Sequence, residues 1–280
     1  MRIVGVHGVG NLRPGLTPQQ AAHVLAGIWT RALGHSHGVG QRVPLPALSM
    51  AYYADLLQRP GRQGEGGFAD LDPLELELVR AWLSAVGLPE GAPAGRATAP
   101  LRQALAWVAK SRGLGRPATE WFVATFFREV AAYLRHPDGP ARTAARNRTA
   151  EMITTYKPRV VIAHSLGSVV AYEALWAHPQ LKVELLVTLG SPLALPHAVF
   201  QRLQPQPVSL RGRRPPGVAR WVNIADPGDL VALPPQGIER QFDGVDAQEP
   251  LEEAIHAFDF HKAANYLATP RLRTLLNRLH

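Results

Sequence analysis

Arg159-Val160-Val161-Ile162-Ala163-His164-Ser165-Leu166-Gly167-Ser168-Val169-Val170 is the stretch that decides how the rest of the chain is read. Its first half is a short β-branched run, which suits a buried strand. Its second half opens a small-residue segment, Ser168 to Ala177, which suits a helix packed closely on its neighbours. Ala163-His164-Ser165-Leu166-Gly167 sits between them and predicts a sharp strand–turn–helix connection with the Ser165 hydroxyl presented at its tip. Such a turn needs small flanking residues, because backbones nearly touch there. Gly167 meets that need; Ala163 adds one methyl group where glycine is usual.

The N-terminal stretch is the second informative one. Arg2-Ile3-Val4-Gly5-Val6-His7-Gly8-Val9-Gly10-Asn11 reads as a buried strand running into a glycine-rich turn. Free N–H groups in such a turn can hold an anion. No Lys-Ser/Thr pair follows the glycines, so it is not a phosphate-binding P-loop. Position 13 is Arg, so the third glycine of a dinucleotide fingerprint is missing.

Further strands are predicted at Leu48–Tyr53, Val183–Leu189 and Ala219–Ile224, beside Arg2–His7 and Arg159–His164. Helical patterns cover Thr17–Leu33, Thr143–Thr155, Ser168–Ala177 and Ala263–Leu279, with Pro270 breaking or kinking the last. Strands alternating with helices predict an α/β protein with a mostly parallel sheet and helices on both faces. Residues 55–138 do not fit the alternation. They read as three helices, Pro73–Val86, Leu101–Ser111 and Ala118–Leu134, between Gly/Pro-rich connectors. The expected organisation is a core of residues 1–54 and 139–280 with a helical cap, 55–138, inserted. Ala118–Leu134 carries Trp121, Phe122, Phe126, Phe127 and Tyr133. An aromatic stripe at helical spacing is first a packing feature, and second a candidate pocket lining.

A serine needs a base, and the base needs an acid to orient it. The strand ending at Ile224 leads into Asp226-Pro227-Gly228-Asp229-Leu230-Val231. Asp226 starts a Pro-Gly turn and suits a turn cap. Asp229, after the turn, is the preferred acid. For the base, His261 directly precedes the last helix and is preferred; His256 is the alternative. His164 is expected to turn away from Ser165, and His7 to shape its loop rather than act as a base.

With those residues in view, the chain resembles the lipase-like and esterase-like branch of the α/β-hydrolase superfamily. The resemblance rests on His7-Gly8-Val9-Gly10, Ala163-His164-Ser165-Leu166-Gly167, Leu189-Gly190-Ser191-Pro192-Leu193, Asp229-Leu230-Val231-Ala232-Leu233-Pro234-Pro235, and His261 with Tyr266-Leu267. It implies the α/β-hydrolase fold and a serine hydrolase acting on a carboxylic ester, thioester or amide. Ser165, Asp229 and His261 would be the catalytic residues. The N–H groups of Val9 and Leu166 would form the oxyanion hole. No cofactor and no metal are implied, and the substrate would be a small-molecule or lipid-like acyl compound. The resemblance covers residues 1–54 and 139–280 and does not extend to the inserted helices.

Bulk properties limit the rivals. The 280 residues are 46% hydrophobic and 19% charged, enough for a substantial core. Cysteine is absent, which excludes disulfides and thiolate metal sites. No apolar run approaches the roughly 20 residues of a membrane span, and no signal-peptide pattern precedes the first strand; a cytoplasmic protein is expected. The net charge of +8 is mostly arginine, Lys occurring only at Lys110, Lys157, Lys182 and Lys262. No dense basic run with interleaved aromatics appears, so nucleic acid is not the expected partner. The tightest basic cluster, Arg211-Gly212-Arg213-Arg214, leaves an anion-binding loop as one alternative. A catalytically silent hydrolase fold serving as an interaction module is another.

Overall fold

A computed structural model of the chain describes residues 1–34, 47–58, 70–87, 98–111, 113, 115–246 and 261–279. Its centre is a five-stranded sheet in which every neighbouring pair is parallel. The strands are β1 (Arg2–Val6), β2 (Ala47–Ala51), β3 (Val160–His164), β4 (Val183–Leu189) and β6 (Val218–Ile224), in the order β2-β1-β3-β4-β6. Gly212–Arg213 (β5) and Phe242–Asp243 (β7), the latter directly after the short helix α7 (Gly237–Gln241), form a separate two-stranded ribbon. The near-continuous apolar runs of β1 and β3 follow from burial on both faces of a parallel sheet. The long strands match their predicted ranges closely; β2 stops at Ala51 rather than Tyr53.

Period-2 alternation divides the core. Ile3, Val160, Ile162, Leu185, Val187, Val222 and Ile224 face one way. They pack against α1 (Pro18–Gly34), α8 (Ala263–Leu267) and α9 (Pro270–Asn277). Val4, Val6, Val161, Ala163 and Leu186 face the other way, toward α5 (Pro140–Tyr156) and α6 (Leu166–Ala177). The C-terminal helical stretch breaks at Pro270, as its sequence predicts. Pro270 lacks the N–H that would continue α8, and it occupies the first turn of α9, capped by Thr269.

Between β2 and α5 run α2 (Pro73–Val86), α3 (Thr98–Ser111) and α4 (Arg116–Leu134), and no described residue from 70 to 134 is in a strand. Asp72 and Glu75 form a reciprocal capping box ahead of α2, and Gly87 ends it in the left-handed conformation. The apolar faces of these helices join the α5/α6 side of the sheet in one cluster: Trp82, Leu105 and Phe127 belong with Val4, Val161 and Val170. Among the described residues, no helix is long and apolar enough to cross a membrane.

One buried charge pair ties α4, α5 and α6 together. Arg142 donates to both carboxylate oxygens of Glu173, and both side chains are essentially inaccessible. Tyr133 Oη (2.7 Å) and the Gln204 N–H (3.0 Å) donate to the same carboxylate. Removing one partner would leave an uncompensated buried charge, which costs about 3–5 kcal/mol. Arg142→Met is therefore expected to destabilise the fold by that amount in urea denaturation. The Arg142→Met/Glu173→Met double variant is expected to recover more than half of the loss. A double variant no more stable than the single one would refute this account.

Candidate active site

The sheet order places the site. The chain leaves β1 toward β2 on one side and returns as β3 on the other. The loops after β1 and β3 therefore diverge at the carboxyl edge, where open α/β sheets form their crevice. Ser165 follows β3, and His7-Gly8-Val9 follows β1. The two segments touch: a Cβ added to Gly8 would stand 2.5 Å from the Ser165 Cβ.

Ser165 has φ 56° and ψ −132°. A non-glycine residue held in such a conformation costs on the order of 1–3 kcal/mol and needs support from its surroundings. Here its N–H donates to the Leu189 carbonyl (3.0 Å). Its carbonyl accepts from the Ser168 N–H (2.9 Å) and Oγ (2.6 Å). Ser168 Oγ is in turn bonded to Ser191 Oγ at 2.6 Å. Gly167 has no substitute, because a Cβ there would lie 2.3 Å from the Val6 and His7 carbonyl oxygens. The tightest backbone approach at the turn is thus to the end of β1. Ala163 is fully buried within β3 without difficulty.

Ser165, His261 and Asp229 form a hydrogen-bonded chain. Ser165 Oγ lies 2.7 Å from His261 Nε2. His261 Nδ1 lies 2.9 and 3.1 Å from the two Asp229 carboxylate oxygens. A carboxylate offers no proton, so Nδ1 carries the hydrogen; in the neutral ring Nε2 is then free to accept from the serine hydroxyl. Asp229 is held independently of the histidine. The Val231 N–H donates to Oδ1 at 2.8 Å, and Tyr266 Oη donates to Oδ2 at 2.7 Å. Burial, then the adjacent carboxylate, push the Tyr266 phenol far up, so it remains a donor. Tyr266 also accepts from the Asp226 N–H at 3.0 Å. Gly190, at φ 51°, leaves room for this: its Cβ would stand 2.7 Å from Asp229 Oδ2.

The other candidates separate clearly. Asp226 accepts from the Gly228 N–H at 2.7 Å, closing the Pro-Gly turn. His256 lies outside the described residues. Leu166 opens α6, and its N–H belongs to the first turn, where a helix supplies no acceptor. Val9 follows Gly8 in the turn after β1. His164 does not turn away as expected: its ring lies 4.8 Å from the His261 ring, centroid to centroid. Burial, then the nearby His261, hold His164 well below the ordinary histidine range. Arg211 of the basic cluster pairs with Asp243, and Arg214 donates to the Gly244 carbonyl at 3.1 Å.

The inserted helices reach the site at several points. Phe122 and Phe126 of α4 stand edge-on to His261, at centroid distances of 5.7 and 6.2 Å. Glu129, further along α4, accepts from the Gly10 N–H at 2.9 Å. Trp82 of α2 donates to the Leu230 carbonyl, next to Asp229, at 2.6 Å. Phe127 instead packs on Trp82, Tyr133 bonds Glu173, and Trp121 is 60% exposed. Sequence reasoning gave no role to Tyr266, which it quoted only within a resemblance, and did not single out Glu129 or Trp82. The first had a signal, a tyrosine five residues after His261; the others depend on tertiary placement alone.

No family model, curated protein or solved structure matches the chain.

His7 is completely buried, and burial lowers its pKa from 6.5 to about 4. Unfolded, it would take up a proton near pH 6.5. Its contribution to stability is therefore full above pH 6.5 and is lost as the pH falls through about 4, by roughly 3 kcal/mol in all. Burial raises Glu129 from 4.5 to about 7, so it acts in the opposite sense over much of the same range. The difference between wild type and His7→Gln isolates the histidine. Urea-unfolding free energies at pH 7 and pH 4.5 are expected to fall more steeply in wild type; parallel profiles would refute the assignment.

Proposed function

We propose that the chain is a serine hydrolase of the α/β-hydrolase fold that cleaves a carboxylic ester, thioester or amide through an acyl-enzyme. The observation that carries this reading is the 2.7 Å contact of Ser165 Oγ with a histidine whose other nitrogen is held by buried Asp229. Support also comes from the strained conformation of Ser165 and from the strand order β2-β1-β3-β4-β6.

In this mechanism Ser165 Oγ attacks the acyl carbon while His261 Nε2 takes the hydroxyl proton. Asp229 keeps the proton on Nδ1 and stabilises the imidazolium that forms. The N–H groups of Val9 and Leu166 receive the negative charge developing on the acyl oxygen. His261 then gives its proton to the departing alcohol, thiol or amine as the bond to the acyl carbon breaks. Water, deprotonated by the same histidine, attacks the acyl-enzyme; the proton returns to Ser165 and the carboxylic acid leaves. Phe122 and Phe126 stand edge-on to the base, and apolar rings beside it favour an apolar acyl or leaving group.

A fluorophosphonate probe is expected to label wild type at Ser165 and to leave Ser165→Ala unlabelled. Turnover of a responsive ester is expected to fall by about 10⁶-fold in Ser165→Ala. Labelling that persists in the variant, or a wild type that resists the probe, would refute the reading. The two aspartates separate in the same assay. Asp229→Asn is expected to stay folded but to lose up to about 10⁴-fold in rate, because the amide favours the wrong imidazole tautomer. Asp226→Asn is expected to keep its rate and lose about 1 kcal/mol of stability from its turn. The reverse pattern would move the acid to Asp226.

A further inference from the structure

Side chains bind the turn after β1 through the carbonyls of His7, Gly8 and Val9 and through the N–H of Gly10. The Gly8 carbonyl accepts from His7 Nδ1 at 2.8 Å and from Asn11 Nδ2 at 3.0 Å. The Val9 carbonyl accepts from the same Asn11 amide at 3.0 Å. The His7 ring is fixed in turn. Its Nε2 accepts from the Tyr53 N–H at 3.2 Å, which assigns the hydrogen to Nδ1. Tyr53 stacks on the ring at 4.3 Å, nearly parallel, and its hydroxyl donates to the His7 carbonyl at 2.6 Å. On the far side of the turn, the Gly10 N–H donates to Glu129 of α4 at 2.9 Å.

A trans peptide points its C=O and N–H in opposite directions. Fixing the Gly8 carbonyl toward His7 and Asn11 therefore fixes the Val9 N–H on the opposite side of the same peptide plane. Glycine at position 8 makes a peptide flip inexpensive, since it has no Cβ to restrict its torsions. A flipped peptide would aim the Gly8 carbonyl where the Val9 N–H now points and would repel a developing oxyanion. Donors that stabilise an oxyanion are effective only when their orientation is set in advance.

The geometry points to Asn11 as a positioning residue that, with His7, holds the Gly8–Val9 peptide in the orientation that receives the oxyanion. This rests on the proposed serine hydrolase reading and adds a residue that the reaction itself does not name. Among the described residues, the Asn11 amide bonds to the Gly8 and Val9 carbonyls and to neither Ser165, His261 nor Asp229, so its loss should leave the base and acid intact.

The test is the rate of fluorophosphonate labelling at Ser165 as a function of pH. Its phosphoryl oxygen takes the place of the oxyanion, so no substrate need be known. Asn11→Ala removes the amide, and Asn11→Asp keeps its shape while replacing the donor with an acceptor. Both are expected to label at least tenfold more slowly on the high-pH plateau. The midpoint of the pH profile should match wild type, as for an undisturbed base, and melting temperatures should stay close to wild type. Wild-type labelling at Ser165 with both folded variants within threefold of its plateau rate would overturn the role of Asn11 alone. A midpoint that shifts with the rate would also overturn it, as damage to the base. A variant too unstable to assay leaves the decision to the other one; if both unfold, Asn11 is structural and the inference fails. Absence of Ser165 labelling in wild type would remove the hydrolase reading and this inference with it.

Discussion

The close approach of Gly167 to the end of β1 is the constraint around which the site is arranged. A methyl group at Gly167 would lie 2.3 Å from the Val6 and His7 carbonyl oxygens, so only glycine lets α6 start where it does. With α6 seated there, the turn from β3 must reverse within one residue, and Ser165 takes the positive φ that makes this possible. Gly8 completes the contact from the other strand, with no side chain to collide with the Ser165 Cβ. Two glycines, on segments more than 150 residues apart, thus let the turns after β1 and β3 meet at the carboxyl edge.

Holding that strain requires bonds that do not depend on the serine side chain. The Ser165 backbone uses the Leu189 carbonyl on one side and Ser168 on the other, while Ser191 steadies Ser168. Asp229 is treated alike. Val231 and Tyr266 donate to it alongside His261. A buried carboxylate needs such donors, because an unpaired polar group in the interior is expensive. The histidine is therefore held by an acid that is itself fixed, and the serine meets the histidine from a backbone that is also fixed.

Much of this arrangement is legible in the chain, for reasons that differ from residue to residue. Val183–Leu189 and Pro73–Val86 are read to the residue because their apolar pattern and terminal residues agree. Ser165, Asp229 and His261 can be picked out because each sits at a strand–helix boundary or next to a turn, and the structure brings all three within hydrogen-bond reach. What sequence could not give is direction. The sharp turn predicts that His164 faces away from Ser165, yet its ring packs on His261. The contacts of Glu129 with Gly10 and of Trp82 with Leu230 join residues 119 and 148 positions apart, and no local pattern announces them.

Those two long-range bonds also define what the inserted helices are to the core. Trp82 grips the loop that carries Asp229, Phe122 and Phe126 flank His261, and Glu129 holds the turn after β1. Each loop at the carboxyl edge that supplies a candidate residue, apart from the Ser165 turn itself, is in contact with α2 or α4. The apolar residues behind these contacts belong to the same cluster as one face of the sheet. A side chain in close-packed surroundings transmits a change in volume to its neighbours. Substitutions at Trp82 or Phe126 should therefore couple energetically with substitutions at Leu230 or His261, whereas distant sites without shared partners simply add. The helices that interrupt the strand–helix alternation in sequence are, in three dimensions, the second wall of the site.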